Sequence, residues 1–218
     1  VSRFHRSEEG SSLVEFALVF PLIVILTMGT LEFSFGLLQR GRAQKATQLG
    51  ARVAIVSTPV APGIKTGLFS GLSPIGAPCT DQTTGITLAA CTIASTDCTY
   101  STTSSPPGGT CPGYTFNLTN FDKIFNEMRL AYPTLTRDNV RVSYASNGLG
   151  YIGNPSGVPV NVTVAIRCLT YDFRILQRLG ILTPPASEAG CPATPTLWPM
   201  LGIRTTLTSE DLDSTVAP

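Results

Sequence analysis

The chain has 218 residues, a formal net charge of +1 and 13% charged residues. That charge gives no reason to expect nucleic acid or another highly charged partner. Charge scarcer than the ~25% usual in soluble domains, with abundant Gly, Pro, Ser and Thr, fits one membrane anchor and one modest loop-rich exported domain.

Residues 1–10 are short and polar, without the apolar core and small-residue cut site of an ordinary secretory signal. The apolar core comes afterwards. From Leu13 to Leu38 only Glu15 and Glu32 are charged. A helix of that length spans roughly 39 Å at ~1.5 Å per residue, enough to cross a hydrocarbon layer of about 30 Å. The run is apolar on every side, so a transmembrane helix is expected over residues 11–38; the alternative is a buried core helix of a soluble protein. Pro21 removes the backbone bond to the Ala17 carbonyl, which membrane helices tolerate. The helix is expected to continue over residues 39–57. There Ala43, Ala46, Leu49, Gly50, Val53 and Val56 recur at three-and-four spacing, with Arg42, Lys45 and Arg52 off the stripe. Thr58-Pro59 stops it. Gly41 offers the alternative of a break and a separate second helix.

Residues 58–119 read as an irregular, disulfide-rich region, with the run STTSSPPGGTCPG and short strands expected near Ile86 to Ile93. It holds Cys79, Cys91, Cys98 and Cys111; Cys168 and Cys191 follow later. An even number of cysteines, all beyond the span, predicts disulfides in an oxidising compartment. With no CxxC and no nearby His they do not form a metal-site pattern, and no metal or other cofactor is expected. Connectivity stays open at this level. Nearest-neighbour pairing would join Cys79 to Cys91, Cys98 to Cys111 and Cys168 to Cys191, the last favoured because it would clamp the segment leaving the clearest strand.

Residues 120–218 read as an α/β meander. Phe121, Ile124, Phe125, Met128 and Tyr132 make one apolar helical face, with Asp122 near its start and Pro133 at its end. Val140, Val142 and Tyr144 alternate with polar residues, as a strand does. Val158, Val160, Val162, Val164, Ile166 and Cys168 would share one face of a second strand. A short helix over Tyr171 to Leu179, ended by Gly180, and a third strand with Leu201, Ile203, Thr205 and Leu207 complete the pattern. The fold class expected is α+β: a long amino-terminal transmembrane helix extending into a small disulfide-linked domain with a short antiparallel sheet and packing helices.

Chemistry is sparse. His5 is the only histidine and precedes the span, so no histidine-based nucleophile pair or metal site is available beyond it. Neither Lys65 nor Lys123 lies in a catalytic motif, and no phosphate-binding loop appears, so no enzyme is expected. Glu15 is the sharpest residue, because a carboxylate in an apolar segment is costly unless paired or near the interface. Ser12-Leu13-Val14-Glu15 also fits a capping box, and the helix dipole favours an anion there. Glu32 lies about 28 Å along the axis from Leu13, close to the far membrane face.

GSSLVEFALVFPLIVIL followed by GTLEFSFGLL resembles the amino-terminal signature of type IV pilin-like proteins, with a Gly before the cut and a Glu five residues on. Over residues 10–56 it looks most like the TadE-like minor pseudopilins of tight-adherence (Tad/Flp) pili. Glu9 departs from the basic residue more often found before that Gly. Ser11 stands where major pilins carry a bulky apolar residue, which argues against a major pilin. The resemblance implies a leader over residues 1–10, cut between Gly10 and Ser11 by a prepilin peptidase. It implies that Glu15 pairs with a neighbour's new amino terminus, that Glu32 contacts another subunit, and that Pro21 marks where the helix can unwind in a filament. Implied partners are the peptidase, other pilin or pseudopilin subunits, and a bacterial inner membrane, with the carboxy-terminal domain in the periplasm. Arg40, Arg42, Lys45 and Arg52 after the span, against Arg3 and Arg6 before it, would by themselves favour the opposite orientation; the cysteines and the pilin-like start argue for export. The function expected is that of a minor pseudopilin, a structural or assembly component. The alternative is a membrane-anchored periplasmic binding module that never enters a filament and has no need of cleavage.

Overall fold

The structure, a computed structural model, describes residues 9–65, 75–81, 84–153, 159–178, 197–200 and 202–209, with Gly180, Thr183, Pro185, Ala186, Gly190 and Cys191. Helix α1 runs from Glu9 to Val56 without interruption, through Pro21 and through Gly41. The alternative break at Gly41 is absent. A single glycine costs a helix only about 1 kcal/mol against alanine, and its neighbours Gln39, Arg40, Arg42 and Ala43 are good helix formers.

The two halves of α1 meet different surroundings. Every residue from Leu13 to Met28 is exposed. The hydroxyls of Thr27, Thr30 and Ser34 donate to the carbonyls of Val24, Thr27 and Thr30, so they keep hydrogen-bond partners without water. α1 is the one helix among the described residues long and apolar enough to cross a membrane. Further along, Ala43, Ala46, Thr47, Gly50, Ala51 and Ala54 are buried, whereas Val56 is 63% exposed. The contact stripe thus follows the small residues and corrects the placement of Val56 on it. Closeness is the reason: a Cβ on Gly50 would stand 2.6 Å from Met128 Cγ and 3.3 Å from Val164 Cγ1.

Beyond α1 the described elements are β1 (Thr96–Ser101), β2 (Gly108–Thr110), α2 (Leu118–Ala131), β3 (Val140–Ser146), β4 (Val160–Ile166), β5 (Thr170–Tyr171), α3 (Arg174–Arg178), β6 (Trp198–Pro199) and β7 (Ile203–Ser209). Five strands form an antiparallel sheet in the order β2-β1-β3-β4-β7. Strict alternation makes one face of β3 and β4 apolar: Val140, Val142, Tyr144, Val160, Val162, Val164 and Ile166 are buried. α2 and the second half of α1 cover that face, with Phe121, Ile124, Phe125 and Met128 packed into the same core.

A polar knot ties the end of α1 to this layer. Asn117 caps α2 by accepting from the Asn120 N–H at 3.1 Å. Asn120, itself buried, donates to the Pro59 carbonyl at 2.9 Å and accepts from the Thr58 hydroxyl at 2.9 Å. The Val60 N–H donates to the Tyr144 phenol oxygen at 3.0 Å. Burial there holds the Tyr144 phenol well above its ordinary pKa.

Three expectations change. Residues 58–119 are not irregular throughout, since β1 and β2 lie within them and form one edge of the main sheet, while the stretch near Ile86 to Ile93 holds a 3-10 turn at Ala89–Cys91. The inward residues of β1 are Thr96 and Cys98, so no apolar alternation advertised it. Cys168 does not continue the β4 face, because its φ of +56° turns the chain out of the strand. The helix expected over Tyr171 to Leu179 starts later: Thr170 and Tyr171 pair with Pro199 and Trp198 as strands, and α3 begins at Arg174 and is described to Arg178, Leu179 lying outside the described residues. Residues 1–8 of the expected leader, Val158, Leu201 and the tail after Ser209 lie outside the described residues.

Candidate functional site

The residues singled out for assembly lie along α1. Gly10 and Ser11 are helical in backbone, within the first turn of α1. Ser12 is likewise helical in backbone, the described helix beginning at Glu9. Glu15 is exposed between Leu13, Val14, Phe16 and Leu18, all of them exposed as well. Pro21 lies a turn and a half further on, also exposed and inside the unbroken helix.

Glu32 differs. One carboxylate oxygen accepts from the Ile175 N–H at 2.8 Å and the other from the Leu176 N–H at 3.1 Å. Both amides belong to the start of α3, where backbone N–H groups have no partner within the helix and an anion is favoured. The Tyr171 hydroxyl donates to the Glu32 carbonyl at 3.2 Å. Gly29, one turn before Glu32, lets this segment approach closely, whereas a side chain at Gly36 would meet it at ordinary contact distance. A Cβ on Gly29 would stand 3.0 Å from Leu176 Cδ2, and one on Gly36 would stand 3.5 Å from both Phe173 and Tyr171. Burial first, then the Glu32 carboxylate, raises the Tyr171 phenol above its ordinary pKa. The Glu32 carboxylate is thus occupied within its own chain.

Sequence reasoning did not anticipate this junction. Tyr171 packs edge-on against Phe173 at 4.7 Å and Phe173 edge-on against Trp198 at 5.7 Å. The one local signal was the pair of glycines spaced seven apart around Glu32 in an otherwise bulky apolar helix. Replacing Glu32 by alanine is expected to free the first turn of α3, a local loss of about 1–3 kcal/mol for the two charge-assisted bonds. Hydrogen exchange of the detergent-solubilised chain checks it: the amides of Ile175 and Leu176 should exchange faster. Unchanged exchange at both would mean the contacts do not hold α3.

The cysteines pair Cys79 with Cys91, Cys98 with Cys111 and Cys168 with Cys191. The first lies in a small separate cluster with Ile152; the second staples the β1–β2 hairpin inside the main core; the third closes a loop after β4. Among the described residues no group of three His, Cys, Asp or Glu could hold a metal ion.

A family model described as "TadE-like protein" matches residues 10–52, which carry the apolar half of α1, Glu15, Glu32 and most of the small-residue stripe. No curated protein and no solved structure matches the chain.

Proposed function

We propose that this chain is a minor pseudopilin, a structural and assembly component of a Tad/Flp-type pilus. The TadE-like match over residues 10–52 supports a component associated with such a pilus. The observation that carries the finer reading is the first half of α1. It is apolar and exposed on every side from Leu13 to Met28, with one carboxylate, Glu15, in its opening turns. A bare helix of this kind suits first a bilayer and then a helical filament core, while the folded layer on its second half stays outside. Three disulfides in that layer support placing it in an oxidising compartment, the periplasm, with α1 in the inner membrane. The role is structural; partners would be a prepilin peptidase and other pilin or pseudopilin subunits.

Cleavage tests this reading. The mature chain extracted from membranes of piliated cells is expected to begin at Ser11. Gly10→Val, or a host lacking the peptidase, should leave residues 1–10 attached. Intact mass is the measurement. A leader retained in piliated cells would favour the anchored binding module instead.

A further inference from the structure

A hydrocarbon layer of about 30 Å is filled by about 20 helical residues, so a span entering at Leu13 reaches the far boundary near Glu32 and Phe33. The domain does not stand clear of that boundary. Glu32 holds the start of α3 there, and Leu176 rests on Gly29. Just beyond lies a cavity of about 300 Å³, with Phe33, Leu37 and Arg40 of α1 on one side and Tyr171, Phe173 and Trp198 on the other. Phe33 and Leu37 are 55% and 54% exposed, so the apolar surface of the span runs on into the cavity without a break. The facing wall is the edge-to-face stack of Tyr171, Phe173 and Trp198. Tyrosine and tryptophan belong at this level of a bilayer, one end apolar and the other wet. Arg40 lies seven residues past Phe33, about 10 Å along the axis, just beyond a headgroup layer of about 5–7 Å, and its long side chain can reach back to that layer. It is exposed and has no ion pair among the described residues.

We propose that this cavity is a site for one phospholipid with an anionic headgroup. An acyl chain lies against Phe33, Leu37 and the aromatic wall, and the phosphate faces the Arg40 guanidinium. The inference rests on α1 spanning a membrane but not on entry into a filament. The other conceivable occupant is the apolar helix of a second copy. A lipid is favoured because the apolar wall is continuous with the span and the one charged group lining it can reach a headgroup phosphate.

Trp198 is the only tryptophan, so its fluorescence reports on this cavity alone. The experiment uses the full chain in vesicles of phosphatidylcholine mixed with phosphatidylglycerol, the acyl chains of one lipid or the other being brominated. Brominated phosphatidylglycerol should quench Trp198 more than its share of the bilayer predicts. Arg40→Gln should reduce that preference roughly fivefold, the effect of one basic residue at an anionic surface. Equal quenching by both lipids that Arg40→Gln leaves unchanged would overturn the proposal. So would quenching by aqueous iodide but by neither lipid. Lipid quenching that appears only when the chain is diluted in the bilayer would assign the cavity to a second copy. Insertion is read separately, as resistance to alkaline carbonate. A chain that carbonate extracts fails the membrane reading and this proposal with it, whereas an inserted chain with unquenched Trp198 fails this proposal alone.

Discussion

Glu15→Gln is expected to insert, to be cut after Gly10 and to form its disulfides, yet to support no pilus assembly. Cleavage would leave a charged amine on Ser11, four residues or about 6 Å of helix rise before Glu15. In the lone subunit Glu15 is exposed on α1, at the edge of the span. Entry into a filament would move that carboxylate from the membrane interface into a packed helical core. An unpaired charge there is strongly unfavourable, and removing one partner of a buried pair costs about 3–5 kcal/mol. A neighbour's amine could supply the partner only at the correct axial offset. The pair would therefore select register more than it adds stability. Glu15→Asp, one methylene shorter, should assemble partially. Counting surface pili and the membrane-inserted pool in the same cells measures both halves of the prediction. Normal pilus numbers from Glu15→Gln would mean the carboxylate serves only its own helix.

Reduction of the three disulfides should lower the melting temperature of the domain and open it to protease in a set order. Each bridge contributes roughly 2–4 kcal/mol, chiefly by restricting the unfolded chain. The three close loops with sequence separations of 12, 13 and 23 residues. What each protects differs. Cys79 and Cys91 are buried with Ile152 in a cluster apart from the main core, flanked by Ala77. That cluster is joined to the β3–β4 connection by the Cys79 N–H on the Gly150 carbonyl at 3.0 Å and the Ile152 N–H on the Ala77 carbonyl at 2.8 Å. With so little apolar surface of its own, the segment around Cys79 should be cleaved first after reduction. Cys98 and Cys111 lie in the large core, which the sheet and both long helices also hold, so β1 and β2 should resist longer. Limited proteolysis with and without reductant, read by mass, distinguishes the two sites. Two or more free thiols in the native protein, or unchanged cleavage on reduction, would contradict the account.

Much of the molecule was legible because single elements sort their own residues. The apolar run from Leu13 to Leu38 fixes a helix that can cross a membrane, whatever follows it. The two-residue period of Val140–Tyr144 and Val160–Ile166, and the three-and-four period of Phe121–Met128, mark which faces turn inward, and those faces are buried. The motif around Gly10 and Glu15 lies in the segment that the TadE-like model matches. β1 escaped notice because its inward side chains are a threonine and a cysteine, which join the core through a hydroxyl bonded to the Pro112 carbonyl and through a disulfide. The partners of Glu32 lie 143 and 144 residues away, and no local period encodes a contact at that separation. The same holds for Tyr171, Phe173 and Trp198, brought together by the two-residue pairing of β5 with β6. Periodicity tells a residue which side of its own helix or strand faces the core. Only the packing of α1 against a distant segment, at its closest over the glycine at position 29, decides which groups meet where the span ends and the domain begins.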